Sequence, residues 1–206
     1  MTGVTRGRFI VLEGVDGSGK TTQARLAAQA LRAAGRTVIE TREPGGTALG
    51  ERLREVLLGT APGALVSTAE VALFAAARAQ LVAEVIRPAL IRGDWVVCDR
   101  FLASSLAYQG VGRGLGIDAV AQANALAVNG CAPDLTVIVD VPEGTARVRR
   151  GAGDRIEAEG DAFHARVADG YRQLAVLFAD RMTVVDGTGT PDEVHARVMA
   201  RIGAIA

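Results

Sequence analysis

Sulfur and imidazole are scarce in this chain, with two cysteines and two histidines in 206 residues. Cys98 and Cys131 have no metal-like spacing and fall in apolar settings, where reduced, buried thiols are the simplest expectation. His164 and His195 fall in late helical segments with no carboxylate or cysteine cluster around them, so neither is expected to be catalytic. Net charge is missing too. Lys and Arg total 23 against 23 Asp and Glu, which removes the global electrostatic case for a nucleic-acid or membrane partner and makes any anion site local. Charges such as Glu70, Arg78 and Glu84 interrupt the apolar stretches, and residues 1–8 carry no apolar signal core, so a cytoplasmic protein is expected. No internal repeat, low-complexity block or linker appears, and the length suits a single domain over 1–206.

What is present is one organising stretch, in which the apolar run Phe9 to Leu12 breaks into Gly14-Val15-Asp16-Gly17-Ser18-Gly19-Lys20-Thr21-Thr22. It fits G-x-x-x-x-G-K-[ST] at Gly14, Gly19, Lys20 and Thr21. Glycines let the backbone curl so that successive N–H groups face phosphate oxygens. Lys20 would reach the outer phosphates, Thr21 would ligate Mg²⁺, and the following helix would aim its positive end at the same anion. The flanks agree with this reading. Arg8 to Leu12 reads as a strand, and Gln23 to Ala34 repeats apolar residues at helical spacing before stopping at Gly35.

A second strand, Thr37 to Thr41, runs into Arg42-Glu43-Pro44-Gly45-Gly46-Thr47, which ends it on the side where open α/β sheets place ligands. Glu51 to Leu58 reads as a short helix carrying Arg52 and Arg54. Ser67 to Ile91 is the longest helical pattern, with Ser67 or Thr68 as N-cap. Its stripe of Val71, Phe74, Arg78, Leu81 and Val85 puts a guanidinium in an apolar face, where it either snorkels to the surface or takes a partner. Phe74 and Arg78, one turn apart, would offer a ligand a stacking face and a hydrogen-bond fork. The other faces, with Ala72, Ala76 and Ala79, are apolar as well, and a subunit interface is one way to cover them.

The strand Asp94 to Arg100 ends in Asp99, suited to Mg²⁺, and Arg100, suited to a phosphate. Asp140, closing the strand-like run Leu135 to Val141, is a rival metal ligand. Ser104, Ser105, Tyr108 and Gln109 are polar groups suited to a small ligand, and they lead into a flexible glycine run over 110–114. Ile117 to Asn129 is helical. A helix opened by Pro142-Glu143 reaches Arg147, Arg149 and Arg150, and glycines at 151 and 153 break it before Asp154-Arg155. Arginines around a glycine hinge read as a closing lid over about 147–157. A helix over Glu159 to Phe178, a strand over Met182 to Val185 and a final helix complete an α/β chain. The expected fold is the three-layer P-loop NTPase arrangement, with a five-stranded parallel sheet flanked by helices.

These motifs in this order resemble bacterial thymidylate kinase over nearly the whole chain, from Phe9 to the last helix. The resemblance implies transfer of the γ-phosphoryl group of ATP to dTMP, with Mg²⁺, in a homodimer. It implies that Phe74 stacks on thymine, that Arg78 and Gln109 bond the base edge with help from Ser105, and that Tyr108 packs under the deoxyribose. Asp16 would meet the sugar 3′-hydroxyl, Arg100 would hold the acceptor phosphate with Arg54 and Glu43 nearby, and Ser104 joins the acceptor set. A cis Glu43–Pro44 bond is also implied. Some members carry an arginine inside the phosphate loop. This loop has none, so the resemblance assigns transition-state charge to Lys20 and the lid arginines Arg149, Arg150 and Arg155. Ala168 departs from the pattern, where an arginine would be expected. An acceptor phosphate with a second pKa of about 6 needs no strong general base, in keeping with the ordinary histidines. Alternatives are a kinase for another nucleoside monophosphate or deoxynucleoside, a switch GTPase, which lacks its Asn-Lys-x-Asp motif here, and a nucleotide-binding regulator without turnover.

Overall fold

The computed structural model describes residues 6–59, 65–149 and 153–205. Among these, five strands form one parallel sheet: β1 (Phe9–Glu13), β2 (Val38–Arg42), β3 (Trp95–Asp99), β4 (Leu135–Asp140) and β5 (Met182–Asp186), in the order β2-β3-β1-β4-β5. The helices are α1 (Lys20–Ala33), α2 (Ala48–Leu58), α3 (Ser67–Leu81), α4 (Arg87–Ile91), α5 (Leu102–Ser105), α6 (Ile117–Val128), α7 (Glu143–Arg149), α8 (Asp161–Leu177) and α9 (Pro191–Gly203). No helix among the described residues is long and apolar enough to cross a membrane.

Strand burial follows position. β1, at the centre, is buried at all five residues, whereas the edge strand β2 is buried only at Val38 and exposes Glu40 and Arg42. Side chains alternate across the sheet. Ile10 and Leu12 pack with Ala24, Ala27 and Leu31 of α1 and Val194, Val198 and Ile202 of α9. Phe9 and Val11 face the other way, onto Leu81, Val82 and Ile86. Leu12 is wholly buried, so truncating it to alanine costs about 2–5 kcal/mol.

The long helical pattern over 67–91 is continuous but not uniform. α3 passes through a wider π turn at Val82–Ile86 into α4, with the N–H of Arg87 reaching Val82 O. Pro88 lies just beyond, and a proline supplies no N–H for the ordinary ladder, so a π turn ahead of it absorbs the mismatch. The helix begins at Ser67 with Val66 in the cap position and no side-chain cap bond, which corrects the expected Ser67 or Thr68 cap.

The glycine run after Gln109 is also corrected. Leu106–Gly112 is a buried π-helical turn continuing α5, not a flexible loop. At Gly112 a Cβ would meet Phe163 and Val167 at 2.9 Å, so the glycine serves close packing on α8. Cys98 and Cys131 are free, buried thiols.

Candidate active site

Strand order reverses at β1, which pairs with β3 on one side and β4 on the other. Ligands of open α/β sheets sit at the carboxyl ends beside such a switch point, and a cavity of about 280 Å³ opens there. Its donor end is the loop from Gly14 to Gly19. Gly14 and Gly17 adopt φ of 140° and 82°, and a Cβ on them would strike Val139 O at 2.5 Å and Ala146 O at 2.3 Å, so only glycine fits either place.

Lys20, at the start of α1, is buried, with Nζ 3.3 Å from Val15 O and 3.4 Å from Asp16 Oδ1. Burial pushes its pKa down, helped by Arg100 and opposed by Asp16. Thr21 donates to Asp99 Oδ2 at 2.5 Å, while Asp99 Oδ1 is buried without a partner. That pair of oxygens suits a hard divalent cation. The rival Asp140 is placed at the tip of β4 with Arg172 at 3.5 Å and does not line the cavity. Thr22 is exposed on α1.

Arg100 follows β3 in a left-handed backbone conformation, φ 71°, which costs a side-chain-bearing residue about 1–2 kcal/mol. Its setting explains how the turn persists. Glu13, fully buried at the end of β1, accepts from the Phe101 and Ser104 N–H groups at 2.8 and 3.1 Å. Its other oxygen accepts from Ser104 Oγ at 2.7 Å and the Tyr171 hydroxyl at 2.9 Å. Burial raises the Glu13 pKa, and Arg100 and these donors oppose the rise.

The Arg100 guanidinium donates to Gly14 O, Ser104 Oγ and Tyr171 OH at 3.0–3.1 Å, pairs with Asp16, and lies over the Tyr108 ring, 5.1 Å from its centroid. Tyr108 in turn donates to Asp16 Oδ2 at 2.7 Å. Burial opposes ionisation of Asp16, but Arg100 and Lys20 outweigh it and hold its pKa well below the usual carboxylate value.

Phe74, Ser105, Tyr108 and Gln109 line the far end, and Glu43, Arg54 and Ser104 line the cavity as well. Arg54 donates to Pro44 O at 2.9 Å, and the Glu43–Pro44 bond is cis. Arg78 neither snorkels nor lines the cavity. It is 1% exposed, one layer behind the wall, and donates to Glu43 Oε2 at 2.6 and 2.9 Å, Ser105 Oγ at 3.1 Å, Phe101 O at 3.2 Å and Asn124 Oδ1. Glu43 keeps one buried oxygen without a partner, and burial pushes its pKa up to about 7 against the pull of Arg78.

Of the expected lid arginines, none among the described residues lines the cavity. Arg149 is exposed at the end of α7, and Arg150 lies outside the described residues. Arg155 turns away from the cavity, donating to Leu57 O at 3.0 Å and Glu70 Oε2 at 2.6 Å. Asp154, Ile156 and Glu157 line the cavity instead. Asp154 Oδ1 caps the N–H groups of Ile156 and Glu157 at 2.9 Å, a local turn that swings the intervening arginine outward. Sequence reasoning missed Glu13, Glu70, Arg113, Asn124, Glu157 and Tyr171. A carboxylate inside an apolar strand was a signal for Glu13; the others sit in ordinary helical or turn contexts.

Comparison with known proteins agrees with this architecture. The family model described as Thymidylate kinase matches residues 12–198. A thymidylate kinase from Pelotomaculum thermopropionicum is 50% identical over 198 residues, covering 94% of this chain and 92% of its own. One from Deinococcus radiodurans is 49% identical over 203 residues, with 97% and 98% covered. The crystal structure of thymidylate kinase from Ehrlichia chaffeensis superposes with a TM-score of 0.79 at 35% identity, covering 96% of this chain and 99% of that one. With identity near one half across almost the full length of both partners, and the same fold in a solved relative, the chain belongs to the thymidylate kinase family.

Proposed function

We propose that the chain, acting as one domain, transfers the γ-phosphoryl group of ATP to the phosphate of dTMP, giving ADP and dTDP. The observation that carries this reading is the single cavity that joins Lys20 and Thr21 at one end to Phe74, Ser105 and Gln109 at the other, with Arg100 between them. A donor triphosphate in the loop and a pyrimidine nucleotide at the far end would bring two phosphates together at Arg100.

The chemistry needs placement and charge more than proton transfer, because the acceptor phosphate is mostly dianionic at neutral pH. Lys20 holds the outer donor phosphates, and Arg100, fixed by Ser104 and Tyr171, binds the acceptor phosphate. Asp16 meets the sugar 3′-hydroxyl, Tyr108 packs under the sugar, and Phe74 stacks on the base. Arg78 stiffens that end from behind through Ser105 and Glu43. Thr21 and Asp99 would hold Mg²⁺, which supplies charge neutralisation between the phosphates when bound. Arg149 and Arg150 are the lid residues assigned to the transferring group; Arg155 supports the lid from its anchorage on Glu70.

The exposed alanines Ala72, Ala76 and Ala79 on α3 support a homodimer, which sedimentation at micromolar concentration tests. Charges that interrupt the apolar stretches support a cytoplasmic enzyme, and the evenly balanced charge gives no electrostatic case for a nucleic-acid partner. The deciding experiment is formation of ADP from ATP, or of GDP from GTP, with a panel of nucleoside monophosphates and unphosphorylated thymidine. Preferred turnover of dTMP with ATP is expected; preference for another acceptor, or no ADP with any, overturns the reading.

A further inference from the structure

Glu70, in the first turn of α3, is 1% exposed, yet it does not line the cavity. Its Oε1 accepts from the Gln109 amide nitrogen at 2.7 Å and Arg113 Nε at 3.3 Å. Its Oε2 accepts from Arg113 Nη2 at 3.2 Å and Arg155 Nη2 at 2.6 Å. Arg113 is itself held by Glu159 and by the Phe163 ring, 4.8 Å from its centroid. One buried carboxylate thus gathers two guanidiniums and one amide. Burial works against its charge, but the donors from Gln109, Arg155 and Arg113 outweigh burial and keep its pKa below the ordinary value.

An ionised carboxylate only accepts hydrogen bonds, so the Gln109 amide facing it must present NH₂. The amide is planar, which leaves the carbonyl oxygen for a ligand in the cavity that Gln109 lines. A ring whose N3 bears hydrogen donates to such an oxygen. Cytosine, whose N3 carries a lone pair, meets it acceptor to acceptor, and a buried mismatch of that kind is costly.

We propose that Glu70, which touches no substrate, is a positioning residue that fixes the Gln109 amide so that the cavity selects a pyrimidine N3–H. The proposal rests on the thymidylate reading of the acceptor site. It also gives Arg155 a role: the segment from Gly153 onward, seated against α2 and α3, locks the carboxylate that orients the base-reading amide.

The test is steady-state kinetics with ATP and either dTMP or dCMP for Glu70→Gln, Glu70→Asp, Gln109→Ala and the Glu70→Gln/Gln109→Ala double variant, beside melting curves. In Glu70→Gln the amide is free to turn over, so the dTMP-over-dCMP ratio of kcat/KM is expected to fall about tenfold or more, chiefly through a higher KM for dTMP with kcat within about threefold. Adding Glu70→Gln to Gln109→Ala is expected to change that ratio by less than about twofold, because both act through one amide. Glu70→Asp keeps the charge between the guanidiniums and draws back from Gln109 by one methylene, so a smaller fall with a near-parental melting temperature decides the matter where Glu70→Gln does not fold. A parental ratio in a folded Glu70 variant, or independent effects in the double variant, overturns the proposal. A parent enzyme inactive on dTMP overturns the acceptor assignment instead.

Discussion

The Thr21 hydroxyl lies 2.5 Å from Asp99 Oδ2, joining the first turn of α1 to the tip of β3. With Asp99 Oδ1 buried and unpartnered beside it, the pair would suit a divalent cation, which would supply charge neutralisation for bound phosphates. Chelation of divalent ions is expected to abolish ADP formation, and Asp99→Asn to raise the Mg²⁺ concentration for half-maximal rate by about ten- to a hundredfold. A metal titration of initial rates measures this. Unchanged half-saturation in Asp99→Asn would assign the cation elsewhere.

Lys20→Met should keep the fold and lower kcat by about 10²–10³-fold, since a positioned cation acting on developing phosphate charge is worth that much in a closed site. Single-turnover rates at saturating ATP and dTMP separate this loss from weaker binding. A kcat within a factor of about three of the parent would remove Lys20 from the chemistry.

Arg78→Ala should destabilise the protein by about 3–5 kcal/mol, because it strands the buried Glu43 carboxylate. Adding Glu43→Ala removes the stranded charge, so the double variant is expected to recover part of the loss. Urea denaturation of the two single variants and the double measures the coupling. A purely kinetic defect in Arg78→Ala, with parental stability, would contradict this structural account.

Glu43 links stability to pH. Burial raises its folded pKa to about 7 from the ordinary 4.5, so between those values the native state holds more proton than the unfolded chain. Its contribution therefore falls as pH rises from about 4.5 to about 7 and is constant above. Relative to Glu43→Gln, the parent should lose melting temperature across that window and keep a fixed difference beyond it. Parallel melting-temperature profiles for the two proteins would reject the assignment.

Those features that depend on local repetition were legible in the sequence. Gly14 to Thr21 carries its backbone requirement in its residue types, and the apolar runs that became β1, β3 and β4 announce buried parallel strands. Pairings across long stretches of chain leave no local trace. Arg78 invites a partner by its place in an apolar stripe, but nothing near it names Glu43, 35 residues earlier. Tyr171 meets Glu13 across 158 positions, and its own helix offers no sign of it. Arg155 suggests a phosphate partner by its charge beside glycines, while across the chain it is placed on Glu70, 85 positions away. The glycines at 110 and 112 mislead similarly, since small residues serve close packing as readily as mobility.

The Glu13 carboxylate has one more implication. It ties down the backbone beyond Arg100 and shares Ser104 and Tyr171 with the guanidinium itself. The freedom that a long arginine side chain normally surrenders on meeting a phosphate is therefore given up once, when the chain folds, rather than at every turnover. Acceptor capture at this point resembles docking onto a finished surface, and substrate exchange leaves the anchoring arginine where it was.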